Sequence, residues 1–186
     1  MATVSQTGFP PSYIGKYIQA QLQEFGVLTG QEQFDLVVPA TSPTNIEELY
    51  GNYLGAPGNE SPVLIMYDRM ARYRPSPFYR HKREQLIYTV YSNSLDNVYN
   101  VMRIIFEALD RQDASAEDVN KWIKDNIPST DPKNVFFHRF KAFQIDETRD
   151  LLELSSARLS AVNKIVIEYD YHTTGGLLGD SGEFYT

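Results

Sequence analysis

The sequence predicts an α+β fold. It reads as a single domain over residues 1–174, with a mainly antiparallel sheet of four or more strands, helices packed on one face and a long basic hairpin arm. A flexible tail, 175–186, follows it. Three observations lead there. VFFHRFKAFQI (135–145) and VNKIVIEYDYH (162–172) are strand-like. The second alternates Ile165, Ile167, Tyr169 and Tyr171 against Lys164, Val166, Glu168 and Asp170, the pattern of a half-buried antiparallel strand. Segments 12–25 and 95–110 carry apolar residues at helical spacing. Finally, 13 Tyr and 10 Phe favour strands and broad contact surfaces, since Tyr packs its ring and keeps one end wet.

In chain order, Tyr13, Ile14, Tyr17, Ile18, Leu22 and Phe25 form the stripe of a first helix over 12–25. Ser12 reads as its N-cap and Gly26 as its stop, and the stripe reads as core. Residues 34–38 form a short apolar run ending at Pro39, an edge strand. Thr44-x-x-Glu47 resembles a capping box opening a short helix through Tyr53, and GAPGNESP (55–62) is a loop by turn chemistry. After the arm comes a helix over 95–110 with the stripe Leu95, Val98, Met102, Ile105, Phe106 and Leu109, capped by Ser94 with Asp96 in its first turn. A second, over 116–127, opens with Ser115-x-x-Asp118, shows Val119, Trp122 and Ile123 on one side, and ends at Pro128. The short connection 111–114 folds the two helices back on each other. In the 135–145 strand, Phe136, His138, Phe140, Ala142 and Gln144 share one face. Val135, Phe137, Arg139, Lys141, Phe143 and Ile145 share the other. The charged, Leu-bearing DETRDLLELSSARLSA between the two last strands reads as a turn of helix or an excursion.

The arm lies in residues 62–91, PVLIMYDRMARYRPSPFYRHKREQLIYTVY, where apolar segments 63–67 and 85–91 bracket a polar insert. Arg69, Arg72, Arg74, Arg80, Lys82 and Arg83 are six of the chain's 17 basic residues; without those six, the formal charge of −7 would be −13. Pro75 and Pro77 argue against paired strand in the middle of the arm. With Tyr73, Phe78 and Tyr79 interleaved, the run suits a partner surface; an ordinary solvated hairpin is the plainer reading.

With 186 residues, 42% apolar and 22% charged, the chain can fold around one sizeable core. The acidic balance argues against non-specific duplex binding by the whole chain. Cys is absent, which excludes disulfide and thiolate chemistry. No apolar run approaches the roughly 20 residues a bilayer span needs. MATVSQTGFPPS lacks the order of a signal peptide, so the expectation is a soluble, unexported, membrane-free protein.

Chemical motifs are sparse. There is no HExxH, GxSxG, SxxK, Walker loop or GxGxxG. His81, His138 and His172 are the only histidines. His172 shares a strand face with Asp170, a ligand hint outweighed by a strand-end histidine with no further ligands in sight. Positive charge around His81 disfavours both its protonation and a bound cation. The expectation is a non-enzyme with no cofactor and no metal.

The order of elements resembles the phage tail-terminator or tail-completion family. The stretches that carry the resemblance are SYIGKYIQAQLQEFG, RMARYRPSPFYRHKREQ leading into LIYTVYS, LDNVYNVMRIIFEALD, FFHRFKAFQI and NKIVIEYDYH, across most of residues 12–172. The resemblance implies a virion neck protein, assembled in the host cytoplasm. Its subunits would form a homo-oligomeric, usually hexameric, ring capping the tail tube. The ring ends tube polymerisation and meets the head connector and, in contractile tails, the sheath. DNA would pass an acidic lumen without specific binding. The expected docking residues are Arg69, Arg72, Tyr73, Arg74, Phe78, Tyr79, Arg80, Lys82 and Arg83 on the arm. In the tail, Leu177, Leu178, Phe184 and Tyr185 would dock on a neighbour. The alternatives are another neck or head-completion subunit, or a small enzyme built on Asp170 and His172 or on His81 and Glu84.

Overall fold

The structure, a computed structural model, describes residues 10–26, 37–39, 63–75, 81–92, 95–111, 113–128, 135–145 and 161–173. In chain order these form α1 (Pro10–Glu24), β1 (Val37–Pro39), β2 (Val63–Pro75), β3 (His81–Ser92), α2 (Leu95–Leu109), α3 (Asp113–Asn126), β4 (Val135–Ile145) and β5 (Ala161–Thr173). Helices and an antiparallel sheet make the protein α+β. The short helix expected near Thr44, the loop 55–62, the bridge between the last strands and the C-terminal tail lie outside the described residues.

In the sheet, β5 runs antiparallel between β3 and β4. The order is β1-β2-β3-β5-β4, with β2 antiparallel to β3 and β1 parallel to β2 over Val37–Pro39. One face of these three strands is buried: Glu84, Leu86, Tyr88 and Val90 on β3, Ile165, Ile167, Tyr169 and Tyr171 on β5, Val135, Phe137, Phe140 and Ala142 on β4. These apolar residues join one core with the buried faces of α1, α2 and α3. Helix α2 touches β3, β4 and β5 and both other helices. That explains its wide buried face, which adds Val101, Ile104 and Ala108 to the expected stripe.

Several boundaries differ from expectation, each for a local reason. Helix α1 begins at Pro10 rather than Ser12, because the first turn of a helix has no intrahelical use for the N–H that Pro10 and Pro11 lack. Its end is as expected: Gly26 sits at φ 69° and its N–H bonds the Gln23 carbonyl at 3.0 Å. Phe25, past the last helical residue, is 59% exposed and outside the core. Leu95, in the first turn of α2, is 46% exposed. Helix α3 starts at Asp113, not 116, so Ser115 lies inside the first turn and accepts from the Arg111 backbone N–H at 3.0 Å. Arg111 and Asp118 form an ion pair across that turn.

The largest correction is in β4. Its bounds are as read, but the register against β5 shifts between Phe137 and Arg139. This bulge gives β4 one extra residue and reverses the facing of everything after it. Val135 and Phe137 before the bulge, and Phe140 and Ala142 after it, therefore all face the core. Phe136, His138, Arg139, Lys141 and Phe143 take the other face. No single alternation could have placed both apolar pairs inside.

Candidate functional site

The basic run begins and ends in the sheet, while residues 76–80 in its middle lie outside the described residues, and with them the expectation that this middle is unpaired. β2 extends to Pro75, with Arg74 opposite Arg83 and Pro75 opposite Lys82. Pro75 is the last residue of β2, where its missing N–H costs the ladder least. β3 pairs with β5 over its whole length, from His81 opposite His172 to Ser92 opposite Ala161. Arg69, Arg72, Tyr73 and Arg74 thus belong to β2, and Lys82 and Arg83 to β3. Phe78, Tyr79, Arg80, Leu177, Leu178, Phe184 and Tyr185 lie outside the described residues.

Two of these cations already have partners in the sheet. Arg83 Nε donates to Asp170 Oδ1 at 2.6 Å and its Nη2 donates to Oδ2 at 2.7 Å, a bidentate pair; Glu168 stands 3.9 Å away. The hydrogen bond to Asp170, opposed in part by burial, holds the Arg83 guanidinium charged far above neutral pH. Lys82 Nζ lies 5.7 Å from the centre of the Tyr171 ring.

The two edges of the sheet differ. The β4 edge is closed by the helices. Asn120 on α3 donates from Nδ2 to the Phe137 carbonyl at 2.8 Å and accepts from the Phe137 N–H at 3.0 Å. Its amide replaces a neighbouring strand at the bulge. Asp110, after α2, accepts from the Ala142 N–H at 3.2 Å. At the other side, β1 covers only Ile65–Tyr67 of β2. Among the described strands none pairs β2 from Asp68 to Pro75 on that side, and Arg69, Arg72 and Arg74 occupy this edge. β2 and β3 also fall out of step between Met70 and Arg74, where three β2 residues face Glu84 alone.

Glu84 is the buried acid of the sheet, 2% exposed, on the core side. It accepts from the hydroxyls of Tyr169 and Tyr171, each at 2.8 Å. Burial and two phenol donors make it a structural polar cluster. His81 occupies an outer-face position of β3, so the suggested His81 and Glu84 pair is split across the sheet. Asp170 and His172 do share the outer face, but Asp170 is engaged by Arg83, while His172 Nδ1 meets His138 Nε2 at 2.6 Å. No group of three or more His, Cys, Asp or Glu side chains arranged for a metal occurs among the described residues. No helix among the described residues is long and apolar enough to cross a membrane.

Sequence reasoning missed Asn120 and Asp110, because their partners are backbone groups far along the chain. It also missed the convergence of His138 on His172, which depends on the β4 bulge. Compared with known proteins, the chain matches no protein-family model and no curated protein.

Proposed function

We propose that this chain is a structural subunit of a phage tail neck, forming a ring that caps the tail tube and joins it to the head connector. The complete sheet, of four or more strands, carries the basic β2–β3 hairpin as its docking element. The observation that best supports this reading is the asymmetry of the sheet edges. The β4 edge is sealed by Asn120 and Asp110, whereas the edge from Asp68 to Pro75 bears three arginines and no described partner strand. Lone edge strands template association, and positive charge along one blocks like-with-like pairing. An acidic partner edge is the complement that such an edge admits. In the ring, that partner is an acidic rim on the tube, the sheath or the connector, and DNA passes without specific binding.

The test replaces Arg72, Arg74 and Arg80 together with Glu. The triple variant should keep the wild-type melting temperature yet fail to co-sediment with tail tubes. A variant that melts normally and caps tubes at wild-type stoichiometry returns these cations to an ordinary solvated edge.

A further inference from the structure

Two histidines 34 residues apart in the chain converge at one end of the outer sheet face. His138, set on this face beside the β4 bulge, stacks on His172 of β5 with ring centres 4.7 Å apart and planes inclined by 26°. His138 Nε2 lies 2.6 Å from His172 Nδ1. Both rings are half-buried, and Phe136 packs against each of them, at 5.3 Å and 5.4 Å. From this contact we propose a proton-operated latch. His138 and His172 hold the end of β4 on β5 while the pair carries no more than one added proton, and part when it takes a second.

At 2.6 Å the two nitrogens have room for one proton between them, one ring donating its N–H and the other accepting. A first added proton goes to the other nitrogen of the donor ring. The contact stays in place and gains strength as a charge-assisted hydrogen bond. A second added proton has only the accepting lone pair to take. That would set N–H against N–H, so two imidazolium rings cannot keep the contact. The surroundings reinforce the refusal. The charged groups on this face beside the pair are Asp170 on β5 and its register partners Arg83 on β3 and Arg139 on β4. Arg83 pairs with the Asp170 carboxylate, and the three sum to one positive charge, which disfavours another. His81, the register partner of His172 on β3, adds to that charge whenever it is protonated. Lys82 lies against the Tyr171 ring, on the other face. In the unfolded chain each histidine takes its proton near pH ~6.5. Below that pH the unfolded chain holds two protons on these residues and the latched fold one, so the latched fold loses stability as pH falls. The loss approaches roughly tenfold in the folding constant per pH unit, the linkage slope of one proton.

The experiment follows urea unfolding of the full chain, without an affinity tag, from about pH 7.5 to pH 5, with imidazole and β4 backbone resonances recorded over the same range. With only three histidines, every ring signal is assignable. The folding constant of the wild type should fall by roughly five- to tenfold between about pH 6 and pH 5. His138→Gln and His172→Gln should each remove most of that fall. His81→Gln, which changes neither ring of the contact, should keep it. Carboxylates that begin to titrate at the acid end act on all four proteins alike and cancel in the comparison. In the resonances, His138 and His172 should titrate in two steps at least about one pH unit apart, the mark of strongly coupled sites, and the β4 signals of residues 136–139 should move with the second step. Should a Gln variant fail to fold, the wild-type resonances decide. Two rings that titrate together as ordinary histidines overturn the latch. So do β4 signals that ignore the second step, and so does a His138→Gln protein that loses stability as steeply as the wild type.

Discussion

Asn120 offers the sharpest perturbation of the fold. Its amide donates to and accepts from the same residue, Phe137, at 2.8 and 3.0 Å, and only 7% of Asn120 is exposed. Asn120→Ala leaves one backbone carbonyl and one backbone N–H on β4 without their partner. Each orphaned buried group costs about 1–3 kcal/mol, so the substitution should destabilise by roughly 2–5 kcal/mol, at the lower end if water reaches the gap. For a chain of this size about 1 kcal/mol moves the melting temperature by ~2–4 °C, which places the fall at roughly 4–20 °C. Asp110→Ala is the internal control. It removes a single 3.2 Å bond made by an exposed side chain, and should cost about 1 kcal/mol or less. The assay is thermal unfolding by circular dichroism, with urea midpoints as a second probe. A loss of less than about 2 °C for Asn120→Ala, or one no larger than that of Asp110→Ala, would refute the idea that Asn120 holds the bulge.

Other outcomes follow from the same structure. Tyr169→Phe and Tyr171→Phe each take one donor from Glu84 and should each cost about 1–3 kcal/mol in urea unfolding, with the double variant departing from additivity because both serve one carboxyl. Purely additive losses would separate the two contacts. Burial, followed by the charge of Asp118, raises the Tyr17 hydroxyl above its ordinary 10.0. The unfolded chain then deprotonates first, so stability from this group is intact below pH ~10 and declines as pH rises beyond it toward the folded value. Tyr17→Phe should flatten that decline in urea midpoints measured from pH 9 to 11; an unchanged slope would assign it to other groups. Arg83→Met, which breaks a part-exposed bidentate pair, should cost no more than about 1 kcal/mol, and less at high salt. A loss well above that would mean the pair organises the β3–β5 register.

What the sequence made legible is what local physics dictates. The alternation of Ile165, Ile167, Tyr169 and Tyr171 identifies the core face of β5, although Val166 on the opposite face is buried as well. Gly26 marks the end of α1 because a left-handed residue suits it. The β4 faces were harder: apolar residues change parity between Phe137 and Phe140, a signature of the bulge that a fixed alternation overrides. The reach of β2 to Pro75 was hidden because proline argues against strand interiors, and only the pairing shows that it occupies the terminal position. Asn120 looks like any polar residue on a helix until the Phe137 backbone is set beside it. The histidines required the register of three strands, which no window along the chain contains. The basic run was plain as composition, but that Arg83 is tied to Asp170 was not.

The central claim, a ring that ends a tail tube, is tested most directly by the mass of the particle formed when purified chain meets tail tubes, read by light scattering and negative-stain imaging. Closure of one repeated interface predicts a ring of about six chains of 21.3 kDa seated at the tube end, with tubes that elongate no further. Monomer alone, and monomer still in the presence of tubes that continue to grow, would contradict it.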